Sequence, residues 1–130
     1  MSETIPIRVL CVDDYPLVRE AIRMMIELQP DMVLVGEASD GADAIRKFMQ
    51  HRPDVTLMDL RLPDMSGIEA LMAIRAESPA ARIIILTTFD GTAEIQRALD
   101  AGACAYLLKS IPSKDLAEAI RKAHVDKSPA

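Results

Sequence analysis

Residues 7–16 read Ile7-Arg8-Val9-Leu10-Cys11-Val12-Asp13-Asp14-Tyr15-Pro16. A short run of β-forming residues stops at two aspartates, and Pro16 then fits the first turn of a helix. Leu17, Val18, Ala21, Ile22, Met25 and Ile26 continue at helical spacing, predicting a helix over 16–29. This unit, a nearly continuous apolar strand followed by an amphipathic helix, is the pattern of a parallel sheet buried on both faces.

The unit recurs along the chain. Further strands are predicted at Met32–Val35, Val55–Met58, Arg82–Thr87 and Ala105–Leu108. Helices are predicted over 41–50, from Ser66-Gly67-Ile68-Glu69 (a capping-box pattern) to about Glu77, over 92–101 with Gly102 as its stop, and over 114–124 with Ser113 as its cap. The apolar stripes expected are Ala42, Ile45, Phe48 and Met49 on the second helix and Leu116, Ala119, Ile120 and Ala123 on the last. Five β–α alternations give one open, doubly wound α/β domain over residues 1–124, with 125–130 as a tail or the start of a linker.

Composition removes several function classes. Half of the 130 residues are apolar but only 3% are aromatic, so the core is aliphatic. Fifteen basic against twenty acidic residues give a net charge of −5, the wrong sign for gripping a nucleic acid backbone. No apolar run approaches the roughly 20 residues of a membrane helix, and the N-terminus lacks the layout of a secretory signal. Cys11 and Cys104 lie too far apart for a CxxC metal motif and read as buried thiols in a reducing, cytoplasmic setting. Met24, Met25, Met49, Met58 and Met72 read as core fillers, and His51 and His124 as surface residues.

In doubly wound sheets the chemistry sits beyond the carboxyl ends of the strands. Asp13 and Asp14 follow the first strand and Asp59 the third. Three carboxylates drawn together repel one another unless a cation neutralises them, and a hard divalent ion such as Mg²⁺ does so with oxygen ligands and a phosphoryl substrate. The alternative is three solvated turn aspartates. Thr87 ends the fourth strand and Lys109 follows the fifth, supplying a hydroxyl and a mobile positive charge suited to phosphoryl oxygens.

Four stretches in order resemble the receiver domain of bacterial two-component response regulators: Val9 to Asp14, Met58 to Gly67, Ile85 to Thr88 and Gly102 to Lys109. The resemblance extends from about Ile7 to His124. It implies a flavodoxin-like sheet of order 2-1-3-4-5 with five helices. It also implies Asp59 as phosphoacceptor from a sensor histidine kinase or a small acyl phosphate. Asp13, Asp14, Asp59 and the main-chain carbonyl of Arg61 would hold Mg²⁺, with Mn²⁺ as a substitute; Thr87 and Lys109 would bind phosphoryl oxygens and Tyr106 would switch rotamer with Thr87. Tyr106-Leu107-Leu108-Lys109, followed by Ser110-Ile111-Pro112 where many receivers have proline next, is similar to the LuxR-type (NarL/FixJ-like) subfamily. That likeness implies a homodimer on phosphorylation and DNA binding only through an output domain absent from these residues.

An output surface in such a domain would draw on Leu99, Tyr106, Leu116 and Ile120, unless these aliphatics face the core. Arg61 and Asp64 read as solvated loop charges flanking the site. Two other functions compete. A haloacid-dehalogenase-type phosphatase resembles this chain in its strand-end aspartate, but carries a second acid where this chain has Arg61. A pseudo-receiver, an interaction module with an idle site, would have no use for the acidic set.

Overall fold

The computed structural model describes residues 5–88 and 91–125. Ten elements alternate: β1 (Ile7–Val12), α1 (Pro16–Glu27), β2 (Met32–Ala38), α2 (Gly41–His51), β3 (Val55–Asp59), α3 (Gly67–Glu77), β4 (Ile83–Thr87), α4 (Thr92–Asp100), β5 (Ala105–Leu108) and α5 (Ser113–Val125). The five strands form one parallel sheet of order β2-β1-β3-β4-β5, as expected.

Strand alternation divides the interior into two apolar layers. Val9, Cys11, Leu57, Ile84 and Leu86 face α1 and α5, meeting Ile22, Met25, Ile26, Leu116 and Ile120. Leu10, Val12, Met58, Ile83 and Ile85 face the opposite way, against Phe48, Ile68, Leu71, Ile74 and Ala98 of α2, α3 and α4. This double burial is why the strands carry no polar face.

Several expectations change. β2 continues through Gly36 and Glu37 to Ala38, because β1 offers it a pairing register out to Val12↔Ala38; a glycine and a glutamate, weak strand formers, concealed this locally. α1 ends at Glu27, where Leu28 donates back to the carbonyls of Met24 and Met25. Leu17, expected to face the core, is 79% exposed, and Ala21, Met24 and Met72 also lie on the surface. Ala42 is exposed too, while Ala44 takes the buried place on α2. The wide apolar run of α1 exceeds what one sheet face can cover, so only Ile22, Met25 and Ile26 are buried.

On α5 the helix begins at Ser113 itself, and the carbonyl of Pro112 accepts from Asp115 and Leu116 in the first turn. Leu116 and Ile120 are core residues, whereas Leu99 is exposed. Cys11 is buried, with burial the main cause pushing its thiol up to about 12, but Cys104 is exposed. His51 and His124 are half-buried rather than on the surface; His51 covers Gly36, and the buried Nδ1 of His124 has no hydrogen-bond partner among the described residues. Val125 belongs to α5, and the rest of the expected tail lies outside the described residues.

The capping box at α3 forms as expected: Ser66 Oγ accepts from the Glu69 amide at 3.1 Å and the Glu69 carboxylate accepts from the Ser66 amide at 3.0 Å. Gly102 adopts φ +110 just after α4, the left-handed stop its position predicts.

Thr56 illustrates a cost inside this core. It lies fully buried in β3 between Leu10 and Ile83, and its Oγ1 has no hydrogen-bond partner among the described residues. An unmade buried hydroxyl bond costs about 1 kcal/mol or more. Thr56→Val keeps the shape and removes the orphan, so it is expected to raise stability by about 1 kcal/mol. Urea unfolding checks this as a higher midpoint at unchanged slope.

Candidate functional site

The sheet order makes β1 and β3 neighbours, with Val12 opposite Met58. Their carboxyl ends therefore deliver Asp13, Asp14 and Asp59 to one point, where a carboxylate oxygen of each lies within 4.8 Å of the others. Asp13 is 2% exposed and Asp59 6%, while Asp14 is half-buried. β4 and β5 add the remaining parts. Thr87 is buried at the end of β4, and the carbonyl of Thr87 accepts from the amide of Lys109 at 2.8 Å.

Lys109 acts as the internal counter-ion of the acids. Its Nζ lies 2.7 Å from Asp13 Oδ2 and 3.2 Å from Asp59 Oδ1, and 5.8 Å from the ring centre of Tyr15. Burial pushes the Asp59 carboxyl above its ordinary value, and the charge of Asp13 adds to this; Lys109 and the Arg61 amide offset part of it. Burial would lower the lysine, but its hydrogen bond to Asp13 and the charges of both aspartates outweigh that and hold it protonated.

The loop after β3 is folded tightly against the site. The Arg61 amide donates to Asp59 Oδ1 at 3.4 Å, Arg61 and Ser66 form an antiparallel bridge, and Gly67 donates to the Leu60 carbonyl at 2.6 Å. Gly67 is required here. A Cβ at this position would fall 3.0 Å from the carbonyl carbon of Asp59 and closer still to its oxygen, both backbone atoms. The capping-box pattern marks Gly67 only as the start of a helix; nothing in local spacing signals the close approach of two backbones.

Asp64, expected to be a solvated charge, is exposed and in addition caps another element. Its carboxylate accepts from the Gly41 amide at 2.7 Å and the Ala42 amide at 3.0 Å, joining the β3–α3 loop to the N-terminus of α2. Those amides depress the carboxyl below its ordinary value. Its stabilisation is therefore present above the ordinary carboxyl range and lost as pH falls through the depressed value. Asp64→Ala is expected to lower the unfolding midpoint at neutral pH and to speed amide exchange at Gly41 and Ala42, with less difference in acid.

Tyr106 pairs with Ile85 across β4–β5 and packs, half-buried, against the α2–α4 layer. Strand parity puts Thr87 on that same face, two residues beyond Ile85. Arg61 presents an exposed side chain at the mouth of the site. The donor set is oxygen only, which suits a hard divalent cation rather than zinc or copper.

The family model of the response regulator receiver domain matches residues 9–121. The chain is a receiver domain. Phosphoryl transfer and Mg²⁺ binding are general properties of receivers. This receiver is 42% identical over 123 residues to the response regulator protein VraR of Staphylococcus saprophyticus, covering 95% of this chain and 59% of that protein. It thus spans little more than half the length of the curated relatives it matches.

Among solved structures, the signal receiver domain of the Mycobacterium tuberculosis response regulator NarL superposes with a TM-score of 0.90 at 33% identity, covering 93% of this chain and 98% of that one. A LuxR-family two-component response regulator from Aurantimonas superposes with a TM-score of 0.90 at 40% identity, covering 94% and 87%. These relatives support membership of the LuxR-type subfamily. Among the described residues no helix is long and apolar enough to cross a membrane.

Proposed function

We propose that this receiver accepts a phosphoryl group on Asp59 from a sensor histidine kinase. The observation that supports it most is the meeting of three carboxylates with the ammonium of Lys109 at the ends of β1, β3 and β5. Asp13, Asp14, Asp59 and the carbonyl of Arg61 would hold Mg²⁺, or Mn²⁺ in its place, and the bound ion would supply positive charge against the transferring group.

The chain's own groups do the rest. A carboxylate oxygen of Asp59 attacks phosphorus as the P–N bond of phosphohistidine breaks and its electron pair returns to the imidazole. Lys109 and the Thr87 hydroxyl bind the phosphoryl oxygens. Attack of water at the same phosphorus returns the free carboxylate and releases inorganic phosphate, so no separate substrate is involved. As Thr87 turns toward the phosphoryl group, Tyr106 on the same sheet face changes rotamer and carries the change to the surface.

The phosphorylated form pairs as a homodimer. In the full-length cytoplasmic protein, the receiver passes the change from α5, which includes Val125, through a linker to a DNA-binding output domain that regulates transcription.

Intact-mass measurement after incubation with acetyl phosphate and Mg²⁺ tests the site. One acid-stable, base-labile adduct is expected, absent in Asp59→Asn and in EDTA. An Asp59→Asn protein that still gained the group at the normal rate would overturn the assignment. Folded wild type that neither gains the group nor binds Mg²⁺ would make the chain an idle interaction module.

A further inference from the structure

Arg19 lies outside the acidic cluster yet reaches its backbone. From the first turn of α1 its Nη1 donates to the carbonyl oxygen of Asp13 at 2.7 Å, while its Nε lies 3.3 Å from Glu37 Oε1 at the end of β2. Glu37 is anchored in turn by two bonds from Arg23, of 2.8 and 3.1 Å. The guanidinium is thereby held from both sides, a task that suits its planar fork of fixed donors.

The bonded carbonyl belongs to the peptide joining Asp13 to Asp14, the two acids contributed by this loop. The rest of the loop is fixed as well. The Asp13 amide donates to the Ala38 carbonyl at 3.0 Å, and its carboxylate takes the Tyr15 amide at 2.9 Å. Arg19 completes this set by fixing the one peptide plane between the acids.

Charge alone does not account for a cation there, because a guanidinium beside a divalent-ion site repels the incoming ion. We infer that Arg19, buttressed by Glu37, is a positioning residue for the Mg²⁺ loop, setting the Asp13–Asp14 peptide so that both carboxylates face the ion before it arrives. The inference rests on the proposed reading of the acidic site. Outer partners of this kind contribute roughly tenfold or more to metal affinity.

Positioning and Coulomb repulsion predict opposite signs, which makes the test decisive. Mg²⁺ binding is measured by titration calorimetry on wild type, Arg19→Met, Arg19→Lys and an Asp14→Asn control. Arg19→Met is expected to bind roughly tenfold more weakly. Arg19→Lys keeps the charge but cannot bridge Asp13 and Glu37 together, so its affinity falls between the two. Its Asp13 carbonyl ¹³C resonance also moves, reporting the lost bond directly.

Arg19→Met binding Mg²⁺ as tightly as wild type, or more tightly, would overturn the inference. Should that variant not fold, an Arg19→Lys protein with unchanged affinity and an unmoved Asp13 carbonyl resonance would do the same. Wild type that fails to bind Mg²⁺ would instead overturn the reading of the site, and this inference with it.

Discussion

Gly67→Ala is expected to cost about 3 kcal/mol of stability, the upper range for forcing extra bulk into a packed interior, and to slow phosphorylation of Asp59 roughly a hundredfold. The added methyl meets the Asp59 carbonyl group and, at 3.1 Å, the Cα of Leu60. No side chain there can swing away. Either α3 retreats from the end of β3, breaking the Gly67–Leu60 hydrogen bond, or the Asp59 peptide turns and takes the Asp59 carboxylate with it. Displacements of about 1 Å at a reacting group have this scale of effect on rate. Urea unfolding and the time course of acetyl phosphate labelling measure the two losses on one sample. A protein of native stability that labels at the wild-type rate would show that the backbone approach has slack.

Lys109→Met is expected to destabilise the metal-free protein by about 3 kcal/mol at neutral pH, as when a buried ion pair loses one partner. The variant removes the ammonium that bridges the Asp13 and Asp59 carboxylates. Saturating Mg²⁺ should recover most of the loss, because the ion supplies the missing positive charge and stabilises the folded state by mass action. The pH dependence follows from the raised Asp59 carboxyl. A raised acid penalises the ionised form in the fold, and that penalty disappears once the group is protonated. Without Lys109 the rise is larger, so the deficit is greatest at neutral pH and shrinks as pH falls through the carboxylate range. Unfolding curves in EDTA and in Mg²⁺ across this range provide the measurement. Equal stability of variant and wild type in EDTA at neutral pH would remove the counter-ion role.

Much of this molecule could be read along the chain. Each strand carries its own apolar run, and Gly102 and the Ser66–Glu69 box mark helix ends by chemistry that acts within a few residues. The strand ends at Asp13, Asp59 and Thr87 were visible for the same reason, since a polar residue closing an apolar strand stands out locally. Failures came where the deciding neighbour is distant in sequence. Gly36 and Glu37 look like a strand's end until Val12 is beside Ala38. Asp64 is solvated as its loop position suggests, but nothing near it in sequence shows that α2 brings two amides to its carboxylate. Leu17 and Met24 look buried because hydropathy records preference, not which helix face the sheet can reach.

By itself, then, the sequence determined the alternation, the doubly wound class and the residue types gathered at the carboxyl edge. The tertiary structure alone decided that Lys109 stands between Asp13 and Asp59, that Arg19 holds the peptide between the two loop acids, and that only a hydrogen fits at Gly67. Periodicity and capping depend on interactions within a few residues, whereas charge pairing and backbone clearance depend on distances of a few ångströms between segments far apart in the chain.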